Sequence, residues 1–400
     1  MTTVDRGVCP YPFSEAKRLD LDPEYARLRD NGELARVRMP YGGEAWMATS
    51  YEDVKTVLGD LRFSRAATLG VDVPRMTPLT QTDSTLLTMD PPDHSRLRKL
   101  VAKAFTMRRI EMLRPRAQEV VDGLLDAIEA QGPPADLVEG LALPLPITMI
   151  CELLGVPYED RDRFRAWSDA ALAFSAYTPE EIQAGRDGLK AYLADLVAKH
   201  REEPSDSLLS ELVRARDEDD RLSEAELVQF GVTLLVAGHE TTANQTGNFL
   251  YTLLSKPQLL KELRDDPDLL EPAIEELLRV TPLGAAAGFP RIATEDVVLS
   301  GTLVKAGEAV MTQTASANRD ARVFDNPEEI DFHRENNPHV AFGHGVHHCL
   351  GAQLARLELQ VAVGTVLRRF PGLRFAVPVE EVPFKTGRLV RGLQALPVTW

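Results

Sequence analysis

The stretch Ala341-Phe342-Gly343-His344-Gly345-Val346-His347-His348-Cys349-Leu350-Gly351 delivers one cysteine, on a glycine-rich loop, to the start of a helical pattern running from Ala352 to Phe370. At such a start the exposed amide groups and the helix dipole favour a thiolate, and a nearby cation depresses the thiol pKa further. A sulfur placed this way is a ligand or a nucleophile. Gly343, Gly345 and Gly351 each remove a side chain and so let backbone approach a flat ligand closely. Three readings compete. Cys349 is a buried structural residue in a glycine turn; or His344, His347, His348 and Cys349 hold zinc, although His residues this crowded lack the usual paired spacing; or the sulfur is the axial thiolate of a haem, pushing electron density onto iron and favouring oxygen–oxygen cleavage.

The pattern Phe342-Gly343-x-Gly345-x-His347-x-Cys349-x-Gly351 resembles the haem-binding signature of the cytochrome P-450 monooxygenases. The resemblance implies iron protoporphyrin IX (haem b) with Cys349 as its proximal ligand. It also implies His347 beside a haem propionate, Phe342 shielding the sulfur side of the ring, and Gly343 and Gly351 against the cofactor.

Upstream, Ser223 and Glu226 have capping-box spacing, and a helical pattern runs on to Pro257, about 30 residues or roughly 45 Å, enough to cross a domain. Its middle contains a Gly and two Thr, which weaken a helix and point to something packed there. Ala237-Gly238-His239-Glu240-Thr241-Thr242 is similar to the family's oxygen-binding stretch. That likeness implies catalytic roles for Ala237, Gly238, Glu240 and Thr241. Gly238 leaves room for dioxygen, and the Thr241 hydroxyl and the Glu240 acid hold a water that carries protons. Alone, a Thr pair in a helix more often back-bonds to a carbonyl.

Glu276-Leu277-Leu278-Arg279 places both charges on one helix face, in isolation a solvated pair worth a few tenths of a kcal/mol. In the family the same spacing is a buried brace completed by a further Arg, here Arg334. Asp90-Pro91-Pro92-Asp93-His94-Ser95-Arg96-Leu97-Arg98 starts a helix with His94 and Arg98 on one face. The resemblance assigns these two, with Arg291, to the haem propionates. From Arg96 to Arg116 the chain carries Arg96, Arg98, Lys99, Lys103, Arg108, Arg109, Arg114 and Arg116 against Glu111 alone. No flavin or nicotinamide region is evident, so electrons come from separate chains, and this basic patch would steer an acidic ferredoxin supplied by its reductase.

Lys and Arg total 45 against 61 Asp and Glu, a formal charge of −16 that opposes general binding to nucleic acid or anionic lipid. The start, Met1 to Gly7, is polar, and nowhere do about 18 apolar residues run uncharged, so the reading is a cytoplasmic protein without a signal peptide or membrane span. Cys9, Cys151 and Cys349 are too few and scattered for a disulfide framework. No phosphate loop or Gly-x-Gly-x-x-Gly dinucleotide motif occurs. Helical periodicity dominates, as in Met107 to Glu129, Pro179 to Glu202 and Pro257 to Val280. Short alternating runs, Ala35 to Thr49, Arg291 to Val310 and Phe375 to Val398, predict small peripheral sheets. Residues 1–400 therefore read as one mainly α domain with small peripheral sheets, and the resemblance implies that this is the P-450 fold, with haem between the long central helix and the Cys-loop helix.

The pocket is expected from Thr68 to Met89, Phe174 to Arg186, the long helix, Leu283 to Phe289, and near Leu389. Leu86, Leu87, Val236, Leu283, Ala286, Phe289 and Leu389 are its candidate lining, and the small residues of 283–289 leave space for a broad apolar molecule. The texture resembles actinobacterial members that tailor macrolides and other polyketides by hydroxylation or epoxidation. Steroid or terpenoid hydroxylation is the alternative substrate reading, and a non-oxidative haem protein that binds gas is the alternative of another class.

Overall fold

The computed structural model describes residues 7–15, 17–173, 175–218 and 221–400. Met1 to Arg6 of the polar start, and Phe174 of the expected pocket, lie outside the described residues. Two compact units form, each from interleaved segments: 1–95 with 278–330 and 335–349, and 96–277 with 331–334 and 350–400. The chain changes unit within the helices Asp93–Ala102 and Leu270–Val280.

The first unit is built on a six-stranded sheet in the order Cys9–Pro10, Ala35–Arg38, Glu44–Ala48, Ala309–Thr312, Arg291–Ala293, Phe63–Ser64. Gly42 and Gly43 turn its central hairpin with φ of 72° and 95°, and set Ala35 opposite Met47 and Arg38 opposite Glu44. The alternation then buries Val37, Ala45 and Met47, while Arg36 lies over the Trp46 ring, 5.1 Å from its centroid. Tyr51–Gly59, capped by Ser50, is amphipathic and packs Val54 and Val57 with Ala48, Phe63, Val310 and Phe324 into the core.

The second unit is helical. Its long helix, Glu224–Leu254, spans 31 residues with the capping box formed: Ser223 Oγ accepts from Glu226 N at 3.2 Å, and the Glu226 carboxylate accepts from Ser223 N at 2.6 Å. It packs against Pro144–Leu154, Pro179–Glu202 and Ala352–Arg369. Two runs read from periodicity as continuous helices are broken. Met107–Glu111 and Arg114–Gln131 separate where Pro115, lacking an amide hydrogen, starts the second. Pro257–Asp265 and Leu270–Val280 separate at Pro267, with the Asp266 side chain accepting from Asp268 N. A small sheet joins Arg374–Phe375, Pro397–Thr399 and Ala135–Asp136. Among the described residues no helix is long and apolar enough to cross a membrane.

Candidate functional site

In the first unit the cysteine loop is closed by its own backbone. Gly343 N–H donates to Val340 O (2.9 Å), His348 N–H to Gly345 O (3.0 Å) and Cys349 N–H to Phe342 O (2.9 Å), while Asn318 Oδ1 accepts from Val340 N–H and ties the loop down. Cys349 ends the loop exposed and outside any disulfide. Gly343 and Gly345 both have positive φ, 74° and 70°. A Cβ on Gly345 would stand 2.7 Å from Gly59 Cα and Leu58 O, so this glycine serves docking of the loop onto Tyr51–Gly59 rather than approach of a flat ligand. Gly351, which precedes the Ala352–Arg369 helix in the second unit, has nothing within 4 Å of the position a Cβ would take.

The three loop histidines diverge. His344 lies against Gly59, His348 near the Phe342 ring, and His347 lies tilted against His94 with centroids 4.4 Å apart. Among the described residues no three His, Cys, Asp or Glu converge as metal ligands, so the zinc reading has no donor set.

Around His347 the first unit gathers positive charge. Arg291 and Arg65 are each 6% exposed, and neither guanidinium is ion-paired with an acid among the described residues. Arg65 donates to Leu87 O and Pro290 O, Arg291 to Phe63 O. The nearby Asp90 spends its oxygens on Ser64 Oγ and the amides of Arg65 and Ala66. Burial pushes Arg65 down to about 9 and Arg291 down to about 10. Burial and then the charges of Arg291, His94 and Arg65 push His347 down to about 3. His347 Nε2 is buried with no hydrogen-bond partner among the described residues. Buried guanidiniums with only the Asp90 charge nearby and no ion-pair partner among the described residues make a seat for carboxylates, and the two propionates of haem have that chemistry. Arg98 lies one turn beyond His94 on Asp93–Ala102, half-buried. Arg65 was missed by sequence reasoning, because nothing in Phe63-Ser64-Arg65 signals that it turns inward.

Of the expected pocket residues in this unit, Leu86 and Ala286 are buried, Leu283 is half-buried, and Leu87 and Phe289 are exposed. The 283–289 segment is pinned rather than loose: Ala287 N–H donates to Tyr11 Oη (2.5 Å) and Gly288 N–H to Thr312 O (2.9 Å). Arg65 lies over the Phe289 ring at 5.0 Å.

In the second unit Ala237 is exposed in the middle of the long helix, with Thr233, Val236 and Thr241 half-buried around it and the opposite face packed. Thr241 Oγ1 donates to Ala237 O at 2.8 Å, leaving its lone pairs to accept from a water. Gly238 departs from expectation. A Cβ there would sit 2.7 Å from Ile150 Cδ1 and 2.8 Å from Cγ1, so the space it leaves is filled by Pro144–Leu154.

Glu240 does not share a hydrogen bond with Thr241. Its Oε1 accepts from Asn244 Nδ2 (2.8 Å) and Lys385 Nζ (3.3 Å). Burial alone would raise its pKa, but Lys385, His239 and Asn244 together hold it below the ordinary carboxylate value. His239 is fully buried, its Nδ1 at 2.7 Å from Leu235 O, and burial lowers its pKa. Val236 and Leu389 are half-buried, and Leu389 N–H donates to Leu172 O.

The brace residues are buried. Glu276, 1% exposed, accepts from Arg334 Nε at 3.2 Å with each oxygen and from Asp331 N at 3.0 Å. Arg279, equally buried, donates to Asn318 O, Pro327 O and Glu329 O. The basic run is partly neutralised by acids distant in sequence: Arg96 pairs with Glu226, Arg109 with Glu211, Arg116 with Glu152. Lys99, Lys103 and Arg108 are exposed and have no acidic partner among the described residues.

The family model "Cytochrome P450" matches residues 164–390. The chain is 56% identical over 391 residues to nocardicin C N-oxygenase of Nocardia uniformis subsp. tsuyamanensis, covering 98% of both. It is 50% identical over 390 residues to mycinamicin IV hydroxylase/epoxidase of Micromonospora griseorubida, again covering 98% of each. Among solved structures it superposes on the LnmA cytochrome P450 hydroxylase of the leinamycin biosynthetic pathway of Streptomyces atroolivaceus with a TM-score of 0.91 at 54% identity, covering 98% of this chain and 100% of that one. With the cysteine loop, the buried cations and relatives matched end to end, the chain belongs to the cytochrome P450 family and is a haem-thiolate monooxygenase.

Proposed function

We propose that residues 1–400 act as one catalytic domain that inserts an oxygen atom from O2 into a large, mostly apolar secondary metabolite, with macrolide or other polyketide intermediates as the first substrate class. The balance is RH + O2 + 2 electrons + 2 protons → ROH + H2O, or the epoxide from an alkene, with electrons supplied by a separate ferredoxin and ferredoxin reductase. Haem, when bound through the Cys349 thiolate, supplies the iron at which O2 is activated. The chain's own residues bind and orient. His94, Arg98, Arg291 and His347, joined by Arg65, hold the carboxylates; Phe342, Gly343 and Gly351 frame the sulfur. Thr241 anchors a water for proton delivery, Glu240 supplies the proton to it, and Ala237 leaves that helix face uncovered. Val236, Leu389, Leu87 and Phe289 offer apolar contact to substrate. Three cysteines outside disulfides support a cytoplasmic location.

The carrying observation is the hydrogen-bonded loop that ends in an exposed Cys349 in the same unit as two buried guanidiniums, Arg65 and Arg291, that have no ion-pair partner among the described residues. The reduced, carbon monoxide-treated holoprotein is expected to show the red-shifted absorption of thiolate ligation, and Cys349→His to abolish it. A shift that survives the substitution removes Cys349 as ligand. Turnover of a macrolide panel separates this reading from a gas-binding haem protein. A second reading, oxidation at a substrate nitrogen, is supported by the 56% identity to an N-oxygenase. Including amine, steroid and terpenoid ligands in a spin-state binding screen decides between them.

A further inference from the structure

The C-terminal segment 383–394 folds back on itself as a hairpin and clasps the long helix. Phe384 pairs with Leu393, and Lys385 N–H donates to Gly392 O. Gly392 lies so close to the helix that a Cβ would fall 1.8 Å from Asn244 Oδ1, and Asn248 Nδ2 donates to Arg391 O at 3.1 Å. The far side of the hairpin is tied to Leu172, Ser175 and Ala176, through Leu389 N–H to Leu172 O and through the amides of Ser175 and Ala176 to Gly387 O. Lys385 is therefore held by a fixed backbone, and its ammonium group reaches both Glu240 Oε1 (3.3 Å) and Asn244 Oδ1 (3.1 Å). The side chains are 18% and 4% exposed for Lys385 and Glu240. Glu240 Oε2 is buried and has no hydrogen-bond partner among the described residues.

The other charged groups near Glu240 come from its own helix, from the Arg161–Ala171 helix and, through Asp169, from the 383–394 hairpin itself. Burial lowers the His239 pKa, and any charge it carries acts on Glu240 in the same sense as Lys385. Asp169 opposes Glu240, and its own pKa is raised by burial and by Glu240. Arg388, beside Asp169, and Arg165, paired with Glu139 at 2.8 Å, complete the set. Burial and Asp169 both favour the neutral acid at position 240. Lys385 reverses that balance.

We propose that Lys385 is a positioning residue for oxygen chemistry: through Glu240 Oε1 and Asn244 Oδ1 it keeps the Glu240 carboxyl ionised, with Oε2 available to take up a proton. The carboxylate takes up a proton relayed from the bulk, gives it to the water held at Thr241 as that water releases one of its own to the oxygen chemistry, and returns to its starting state, so the proton consumed is replaced from solvent. This rests on the role of Glu240 proposed above.

The test compares holoenzyme variants by two readouts: the pH profile of product formed per electron pair, and the infrared band of a protonated carboxyl, the part due to position 240 assigned by its loss when Glu240→Gln is added to Lys385→Met. In Lys385→Met the band is expected at neutral pH, with the acid limb of the profile moved up by about one to three pH units. Asp169→Asn, which removes a repelling charge, moves the limb down, and Lys385→Arg restores the parent profile. An unmoved limb without the band in Lys385→Met, or shifts of the same sign in Lys385→Met and Asp169→Asn, overturns the proposal. Should Lys385→Met fail to fold, Lys385→Gln, which keeps an amide donor without the charge, is read in the same two ways. If Glu240→Gln itself keeps the parent coupling, the role of Glu240 falls and takes the proposal with it. If Glu240→Gln loses coupling while Lys385→Met keeps it, only the role of Lys385 falls.

Discussion

Thr241 spends its hydroxyl hydrogen on its own helix, donating to Ala237 O, so what it offers outward is an acceptor. A methyl in its place removes the anchor for a water while leaving the helix its backbone ladder. Thr241→Ala is expected to consume electrons at near the parent rate but to form product at least about tenfold less often, the difference appearing as hydrogen peroxide. Measured peroxide per electron pair checks this, and unchanged coupling removes Thr241 from proton delivery. Glu358 carries a different message. It is 1% exposed, neither oxygen has a partner among the described residues, and burial raises its pKa well above the carboxylate range. A raised folded-state value means full stability below the unfolded pKa of about 4.3, with loss as pH climbs toward the folded value. Glu358→Gln carries no such proton, so its stability relative to the parent should grow by about 1.4 kcal/mol per pH unit across that window. Urea melts at several pH values test this; parallel curves would mean that Glu358 is ionised in the fold.

At the scale of elements, the long helix meets Pro144–Leu154 where Gly238 receives Ile150. Gly238→Val overfills the contact and should cost about 1–3 kcal/mol. Combined with Ile150→Ala, it should cost less than the sum of the two single changes, because the cavity and the intruding methyls cancel. Additive losses in chemical denaturation would break the pairing. The same helix marks how far local sequence reaches. Its start and length were legible, because a capping box and a following Pro are neighbours along the chain, as were the cysteine loop and the fold class. Gly238 is the counterexample: a missing side chain shows that something comes close but not what. Glu240 behaves likewise, since Lys385 stands 145 positions away and no window contains both. The breaks at Pro115 and Pro267 were readable in principle, for proline starts or stops helices by simple stereochemistry, but apolar periodicity on either side ran in phase and hid them.

Taken over the whole molecule, charge read along a window differs from charge on the folded surface. Glu226, Glu211 and Glu152 fold against Arg96, Arg109 and Arg116, and the field left over belongs chiefly to Lys99, Lys103 and Arg108. Changing these three to Glu should slow reduction by an acidic ferredoxin at least about tenfold at low salt. The parent and variant rates should converge near 1 M salt, where screening acts over about 3 Å. Stopped-flow reduction across a salt series gives the answer, and a parent rate indifferent to salt would place docking elsewhere.

The interleaving of the two units carries a further consequence for how the protein is made. The unit that holds the cysteine loop begins with the first strand at Cys9–Pro10 and ends at Cys349. No nascent chain shorter than that can complete it on the ribosome. The hundred or so early residues of its sheet must wait, partly assembled, while the helical segment 96–277 is synthesised, and the helical unit is in turn completed only by 350–400. Arrested translation products ending before residue 349 should therefore bind chaperones rather than porphyrin.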